Sequence, residues 1–424
     1  MAGLSQALYN LLVWLAQPLL RRKLARRAVA EPGYAVSVSE RFGHYTHAAE
    51  SRRELLWVHA VSLGEARAAA ILIEALRASM PGVRILLTHG TATGRAEGAR
   101  LLREGDVQVW QPWDSPAAVR AFLAHFQPRI GLLMETEVWP NMVHGCRRAG
   151  VPLVLVNARM SERSLRAALR WSALMRPAYA GLQAAWAQTE DDARRLHALG
   201  ARVTAVTGNL KFDARPDATQ CARAHRWRAA LQRPVVLLAS SREGEEALWL
   251  QAVGTPQLKT VQWMIVPRHP QRVDEVERLL QAAGWRVVRR SAWGDDGPAA
   301  QTGAVWLGDS LGEMALYYSL AQVALLGGSF APLGGQNLIE AAACGCPLFM
   351  GPHTFNFQEV AALAEAAGAA HRVAGMDEAV AQAVRLTMEG LEHEAMVEAA
   401  QAFSQAHQGA ARRVAGLVQT VLQG

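Results

Sequence analysis

Lysine is almost absent from this 424-residue chain: Lys23, Lys211 and Lys259 are the only three. Arginine therefore carries most of the positive charge behind the formal net charge of +7. Its planar, permanently charged fork suits phosphate and carboxylate partners. The basic balance thus points to a phosphorylated substrate or anionic lipid. Zinc-finger, RNP and helix-turn-helix signatures are missing, which sets nucleic acid aside as a partner. Cysteine is scarce: Cys146, Cys221, Cys344 and Cys346 form no C-x-x-C pair. That excludes a disulfide frame, fits buried thiols in a reducing compartment, and offers no zinc-ligand spacing. There is no Asp-x-Asp and no histidine cluster beside the carboxylates, so no metal site and no cofactor are expected. Neither an internal repeat nor a low-complexity tract stands out.

The chain also lacks an apolar run of the ~20 residues a full membrane span needs. The nearest approach is Leu4–Leu20, where Leu4, Leu8, Leu11, Leu12, Leu15 and Leu19 form one helical stripe and Gln6, Asn10 and Gln17 interrupt the rest. The basic block Arg21-Arg22-Lys23-Leu24-Ala25-Arg26-Arg27 comes next. Ala28-Val29-Ala30 mimics a signal-peptide cleavage site, but the charges come after the apolar run, the wrong order for such a peptide. Two readings remain: a marginal single span, or an amphipathic helix lying in the interface. In either, the basic block holds anionic lipid and places the domains C-terminal to it in the cytoplasm. An ordinary first helix packed on its domain is the structural alternative.

What the chain has in plenty is apolar residues, 51% of the total, enough for two cores. From residue 50 onward, apolar runs alternate with helical stretches. Leu55–His59, Val83–Thr88, Val107–Trp110, Ile130–Met134 and Pro152–Asn157 read as strands of a doubly wound parallel sheet. A second series reads as Pro234–Ala239, Val261–Val266, Trp285–Arg289, Ala304–Leu307, Val323–Leu326 and Pro347–Met350. The predicted organisation is a membrane-associating helix with its basic flank over 1–30, an N-terminal domain over 31–213, a linker over 214–233 and a C-terminal domain over 234–424 ending in helices. Two such sheets are expected to face each other across a cleft, with ligands at their strand C-termini.

The loops after the strands carry the chemistry. Glu65 stands at the first strand-to-helix turn, in WVHAVSLGE at 57–65. A carboxylate there is placed to take a proton from a sugar hydroxyl, or merely to serve the helix dipole. Glu135 and Glu137, in METEVWPN at 134–141, read as one group facing the ligand and one cap. Lys211, in TGNLKFD at 207–213, is a rare lysine at a domain junction, suited to an anionic ligand or simply solvated. Thr91–Gly94 either binds phosphate or caps a helix. In the second half, Arg268 in PRHPQR at 267–272 is placed to clamp a phosphate. Glycine loops recur at GDSLGEM (308–314), GGS (327–329) and FAPLGGQNLIEAA (330–342). Their backbone N–H groups are expected to close on an anion. Asn337-x-x-Glu340 opens a short helix, with Glu340 set to accept from a ribose diol.

Taken together, these motifs resemble the Kdo (3-deoxy-D-manno-octulosonic acid) transferases of Gram-negative lipopolysaccharide synthesis. The likeness runs from Glu40-Arg41-Phe42-Gly43 through NARMSERS at 157–164 to about residue 360, and includes the basic N-terminus. It implies a GT-B glycosyltransferase with two doubly wound Rossmann-like domains and an N-terminal membrane-associated helix. It also implies inverting, metal-independent transfer of Kdo from CMP-Kdo to the lipid A precursor lipid IVA, at the cytoplasmic side of the inner membrane. By the same likeness Glu65 is the general base and Glu135 and Lys211 support the transition state. Pro267, Arg268, Gly312, Glu313, Met314, Asn337, Leu338, Ile339 and Glu340 hold CMP. Four places depart from the family pattern: Gln336 for a histidine, Leu338-Ile339 for Pro-Leu, Arg242 for a histidine, and Thr91–Gly94 without its proline. The alternatives are a sugar-nucleotide 2-epimerase, another GT-B transferase using a UDP- or ADP-sugar, and an inactive membrane-bound binding protein.

Overall fold

Two parallel seven-stranded sheets organise the computed structural model, each in its own compact unit. The structure describes residues 2–50, 54–254, 260–300 and 303–423; Lys259 lies outside them. The first unit comprises Met1–Asp213 with Gln408–Gly424, the second Ala214–His407.

The first sheet contains β1 (Leu55–His59), β2 (Arg84–His89), β3 (Val107–Trp110), β4 (Ile130–Met134), β5 (Leu153–Ala158), β6 (Ala184–Ala187) and β7 (Val203–Val206), ordered β3-β2-β1-β4-β5-β6-β7. The second contains β8 (Val235–Ser241), β9 (Gln262–Pro267), β10 (Arg286–Arg289), β11 (Ala304–Leu307), β12 (Val323–Leu326), β13 (Leu348–Met350) and β14 (Ala370–Arg372), ordered β10-β11-β9-β8-β12-β13-β14. Helices cover both faces, so the central strands are buried throughout and read as continuous apolar runs. The first sheet's order reverses between β1 and β4; the second's reverses between β8 and β12, with β11 also placed between β9 and β10. Loops that leave the strand ends there part to opposite faces and open a crevice, the usual ligand site of such sheets.

Three strands, β6, β7 and β14, were not apparent as sequence patterns. Ala184-Ala-Trp-Ala is alanine-rich and favours helix on its own, β7 alternates at a half-exposed edge, and β14 is three residues long. The region expected as a linker is largely a helix, Ala218–Ala230, capped by Asp217 and anchored in the second unit by buried Ala224 and Trp227. The final helix, Ala410–Gln423, lies with the first unit and not the second. Its buried stripe Ala410, Ala411, Val414, Ala415 and Val418 joins the core under helix Leu63–Ser79. Asp213 secures the return by accepting from the Gly409 and Ala411 N–H groups, and Arg413 donates to the Thr207 carbonyl at 2.8 Å.

The N-terminal helix, Ala2–Ala30, docks by polar contacts and one apolar point. Gln6 donates to Asn141 Oδ1 at 2.7 Å, Tyr9 donates to Asp114 Oδ2 at 2.8 Å, and Leu24 packs with Tyr34 and Trp110. The stripe Leu4, Leu8, Leu11, Leu12, Leu15 and Leu19 is instead exposed, together with Trp14. Among the described residues no helix is long and apolar enough to cross a membrane, so of the two membrane readings the single span finds no helix to carry it.

Candidate active site

Glu65 sits in the first turn of helix Leu63–Ser79, straight after β1. Ser62 caps that helix: its Oγ accepts from the Glu65 N–H and donates to Glu65 Oε1 at 3.0 Å, while the Val61 N–H donates to Oε2 at 2.8 Å. This reciprocal cap fixes the carboxylate's position. The group is half-buried, and burial pushes its pKa up to about 7. The Val61 and Ser62 hydrogen bonds oppose that rise, while the charges of Glu135 and Glu137 reinforce it. The nearby imidazoles do not compete as bases. His59 and His89 are fully buried, with burial pressing them down to about 3 and about 4.

Glu135 leaves β4 in a left-handed conformation, φ +57°, and is 5% exposed. A non-glycine residue held there costs about 1–3 kcal/mol, sustained by its surroundings. Two cations hold its carboxylate: Arg159 Nε at 2.9 Å from Oε2 and Lys211 Nζ at 3.4 Å from Oε1. Asn157, also left-handed at φ +51°, accepts from the Leu210 N–H at 3.0 Å and so sets the segment bearing Lys211. Glu137 accepts from Trp139 Nε1 at 2.9 Å, and burial raises its pKa. Thus Glu135 and Lys211 touch directly, and Glu135 acts on Glu65 through its charge. Thr91 is a helix cap, accepting from the Gly94 N–H at 3.1 Å.

In the second unit, Pro267 ends β9 and Arg268 comes next, exposed, donating to Gln336 Oε1 at 3.2 Å. Gly312 has φ +79°, a conformation that disfavours any side chain. Glu313 is pinned by Arg290 at 3.0 Å and by Ser310 Oγ at 2.5 Å, and Met314 begins helix Met314–Leu320. Asn337 accepts from the Ile339 N–H at 3.2 Å. Helix Ile339–Ala343 is a single short turn with Glu340 near its start. Leu338 and Ile339 are core residues, each 1% exposed, so only their backbone is available to a ligand. The loop after β12 departs from expectation. Its Gly328, Phe330 and Ala331 N–H groups already serve the buried Glu245 carboxylate and are not held ready for a bound anion.

The chain is 50% identical over 369 residues to a 3-deoxy-D-manno-octulosonic acid transferase of Bordetella pertussis, covering 84% of this chain and 85% of that one. It belongs to the Kdo transferase family. The family profile for 3-deoxy-D-manno-octulosonic-acid transferase (kdotransferase) matches residues 36–214. The Haemophilus influenzae transferase is 30% identical over 358 residues, covering 83% of each chain. In fold the chain resembles a crystallised glycosyltransferase of Rickettsia africae, with TM-score 0.57 at 11% identity, over 88% of this chain and 99% of that one. The two parallel-sheet α/β domains thus resemble those of GT-B glycosyltransferases. Sequence reasoning missed three residues of this transferase: Arg159, Arg290 and Glu245. Arg159 lay within the motif NARMSERS, but nothing in the sequence showed that it pairs with Glu135, 24 positions earlier.

Proposed function

We propose that this transferase moves Kdo from CMP-Kdo to lipid IVA by a single inverting displacement. The observation that carries the reading is Glu65: a positioned, half-buried carboxylate at the order reversal of the first sheet, with a pKa near neutrality. A base so tuned is substantially ionised at neutral pH yet strong enough to take a hydroxyl proton. The acceptor hydroxyl gives its proton to Glu65 as its oxygen attacks the anomeric carbon. The bond from that carbon to the phosphate oxygen breaks, and CMP leaves with the electron pair. Glu135 keeps a negative charge beside Glu65, and Lys211 and Arg159 balance it. Arg268, the Gly312–Met314 turn and the Asn337–Glu340 turn hold the CMP moiety, with Arg268 meeting the phosphate charge. No step uses a metal. Formation of Kdo–lipid IVA by the purified enzyme is the test.

The acceptor is a membrane lipid, and we read the N-terminal helix as the interfacial element that brings the enzyme to the inner-membrane surface. Its exposed leucines face away from the first unit's core, and the exposed Arg21, Arg22, Lys23, Arg26 and Arg27 lie just beyond them. Apolar burial and attraction to anionic headgroups then act together. Replacing Leu8, Leu12 and Leu15 by serine is expected to reduce co-sedimentation with anionic vesicles at least tenfold, since each buried leucine contributes about 1.5–3 kcal/mol. Unchanged partitioning would remove the helix from this role.

A further inference from the structure

Glu245 is 0% exposed and its carboxylate accepts four main-chain hydrogen bonds. Oε2 takes the N–H of Arg242 at 2.9 Å and of Gly328 at 2.6 Å; Oε1 takes those of Phe330 at 3.0 Å and Ala331 at 3.3 Å. Three of these donors belong to the loop after β12, while Glu245 itself comes after β8. The contact therefore bridges the order reversal of the second sheet. The backbone here is tightly fitted: a Cβ on Gly327 would lie 2.4 Å from the Ser240 carbonyl oxygen, and Ser240 is itself left-handed at φ +55°. Behind Glu245, Glu246 pairs with Arg272 through two bonds of 2.9 and 3.0 Å and accepts from Ser241 at 2.8 Å.

Convergent N–H groups on a glycine loop make a concavity that suits an anion. Here the anion is built in. The Gly335 N–H donates to the Gly328 carbonyl at 2.7 Å, and Gln336, the next residue, accepts from Arg268. A bonded path thus runs from Glu245 through the loop to the turn and the arginine assigned to the donor. We propose that Glu245 is a positioning residue for donor binding: an internal anion that fixes the Gly328–Ala331 loop, and through Gly335 fixes the Gln336–Arg268 pair that meets the donor phosphate. This rests on the reading of the second unit as the donor-binding domain. Its consequence is that the Gly328, Phe330 and Ala331 N–H groups are structural and do not contact the donor.

Glu245→Gln tests this at nearly constant volume, because the amide nitrogen then faces N–H donors where an acceptor stood. CMP Kd and KM for CMP-Kdo are expected to rise tenfold or more, with kcat changing less than threefold, the mark of lost uniform binding. Ile265→Val in the β9 core is the stability control: a lower Tm with unchanged CMP Kd. Unchanged CMP Kd in a folded Glu245→Gln protein overturns the proposal. The unsubstituted enzyme supplies a second test by hydrogen exchange. The Gly328, Phe330 and Ala331 amides are expected to be slow without CMP and no slower with saturating CMP. Protection that appears only with CMP would assign those groups to the donor and overturn it. If the unsubstituted enzyme binds no CMP, the donor reading fails and takes the proposal with it. That failure is told apart by amides that stay protected without ligand.

Discussion

Glu65→Gln is expected to lower kcat/KM by roughly 10²–10⁴-fold, the usual contribution of a general base, with CMP affinity unchanged. Glutamine nearly preserves the shape of the side chain and can still accept from Ser62, so the helix cap is partly kept. Its amide cannot take a proton from the acceptor. The pH dependence carries the sign. In the folded enzyme the carboxyl titrates at about 7 because burial opposes its charge. The base is therefore protonated and idle below that value and ionised above it. The acidic limb of kcat/KM should fall as pH drops through about 7, and the residual activity of the glutamine variant should lack that limb. A folded variant with activity within threefold of normal would reduce Glu65 to a helix cap, the role its contacts with Ser62 and Val61 already show.

Arg268→Ala is expected to weaken CMP binding by roughly 10- to 150-fold, the loss that comes from removing a charge-assisted hydrogen bond. The side chain is exposed and donates to the Gln336 side chain, so its removal leaves the core intact. Thermal protection by nucleotide reads the effect directly. CMP should raise the Tm of the unsubstituted enzyme more than UDP or ADP does, and this gain should shrink in the variant. Full CMP protection in Arg268→Ala would take the arginine out of the donor site. Stronger protection by UDP or ADP would favour a different sugar nucleotide.

The sequence was most legible where chemistry and periodicity coincide. Central strands such as Leu55–His59 and Ile130–Met134 are buried on both faces and hold nothing but apolar or small residues until their ends, so their limits are visible. The loops at their C-terminal ends were legible for the same reason, because polar residues resume there. Glu65 and Arg268 were singled out this way. Less legible was everything set by contacts distant along the chain. Alanine-rich β6 forms a strand only because β5 and β7 flank it. The amphipathic stripe of Ala410–Gln423 predicts a buried face but not which unit receives it. Glutamate at 245 reads as one of several acidic residues beginning a helix, and only the fold turns its carboxylate onto the loop after β12. Leu338 and Ile339 show another limit of the sequence. Their motif marked them as contacts for CMP, yet their side chains complete the core and leave the backbone to do any binding.

One measurement tests the central claim most directly: incubation of the purified enzyme with lipid IVA and CMP-Kdo generated in situ, analysed by mass, with the transfer step run with and without EDTA. The account predicts lipid IVA heavier by whole Kdo residues in both reactions, with CMP released in equal number. Unchanged lipid IVA in the presence of intact CMP-Kdo would contradict the assigned donor and acceptor, and product lost only with EDTA would contradict the metal-free displacement.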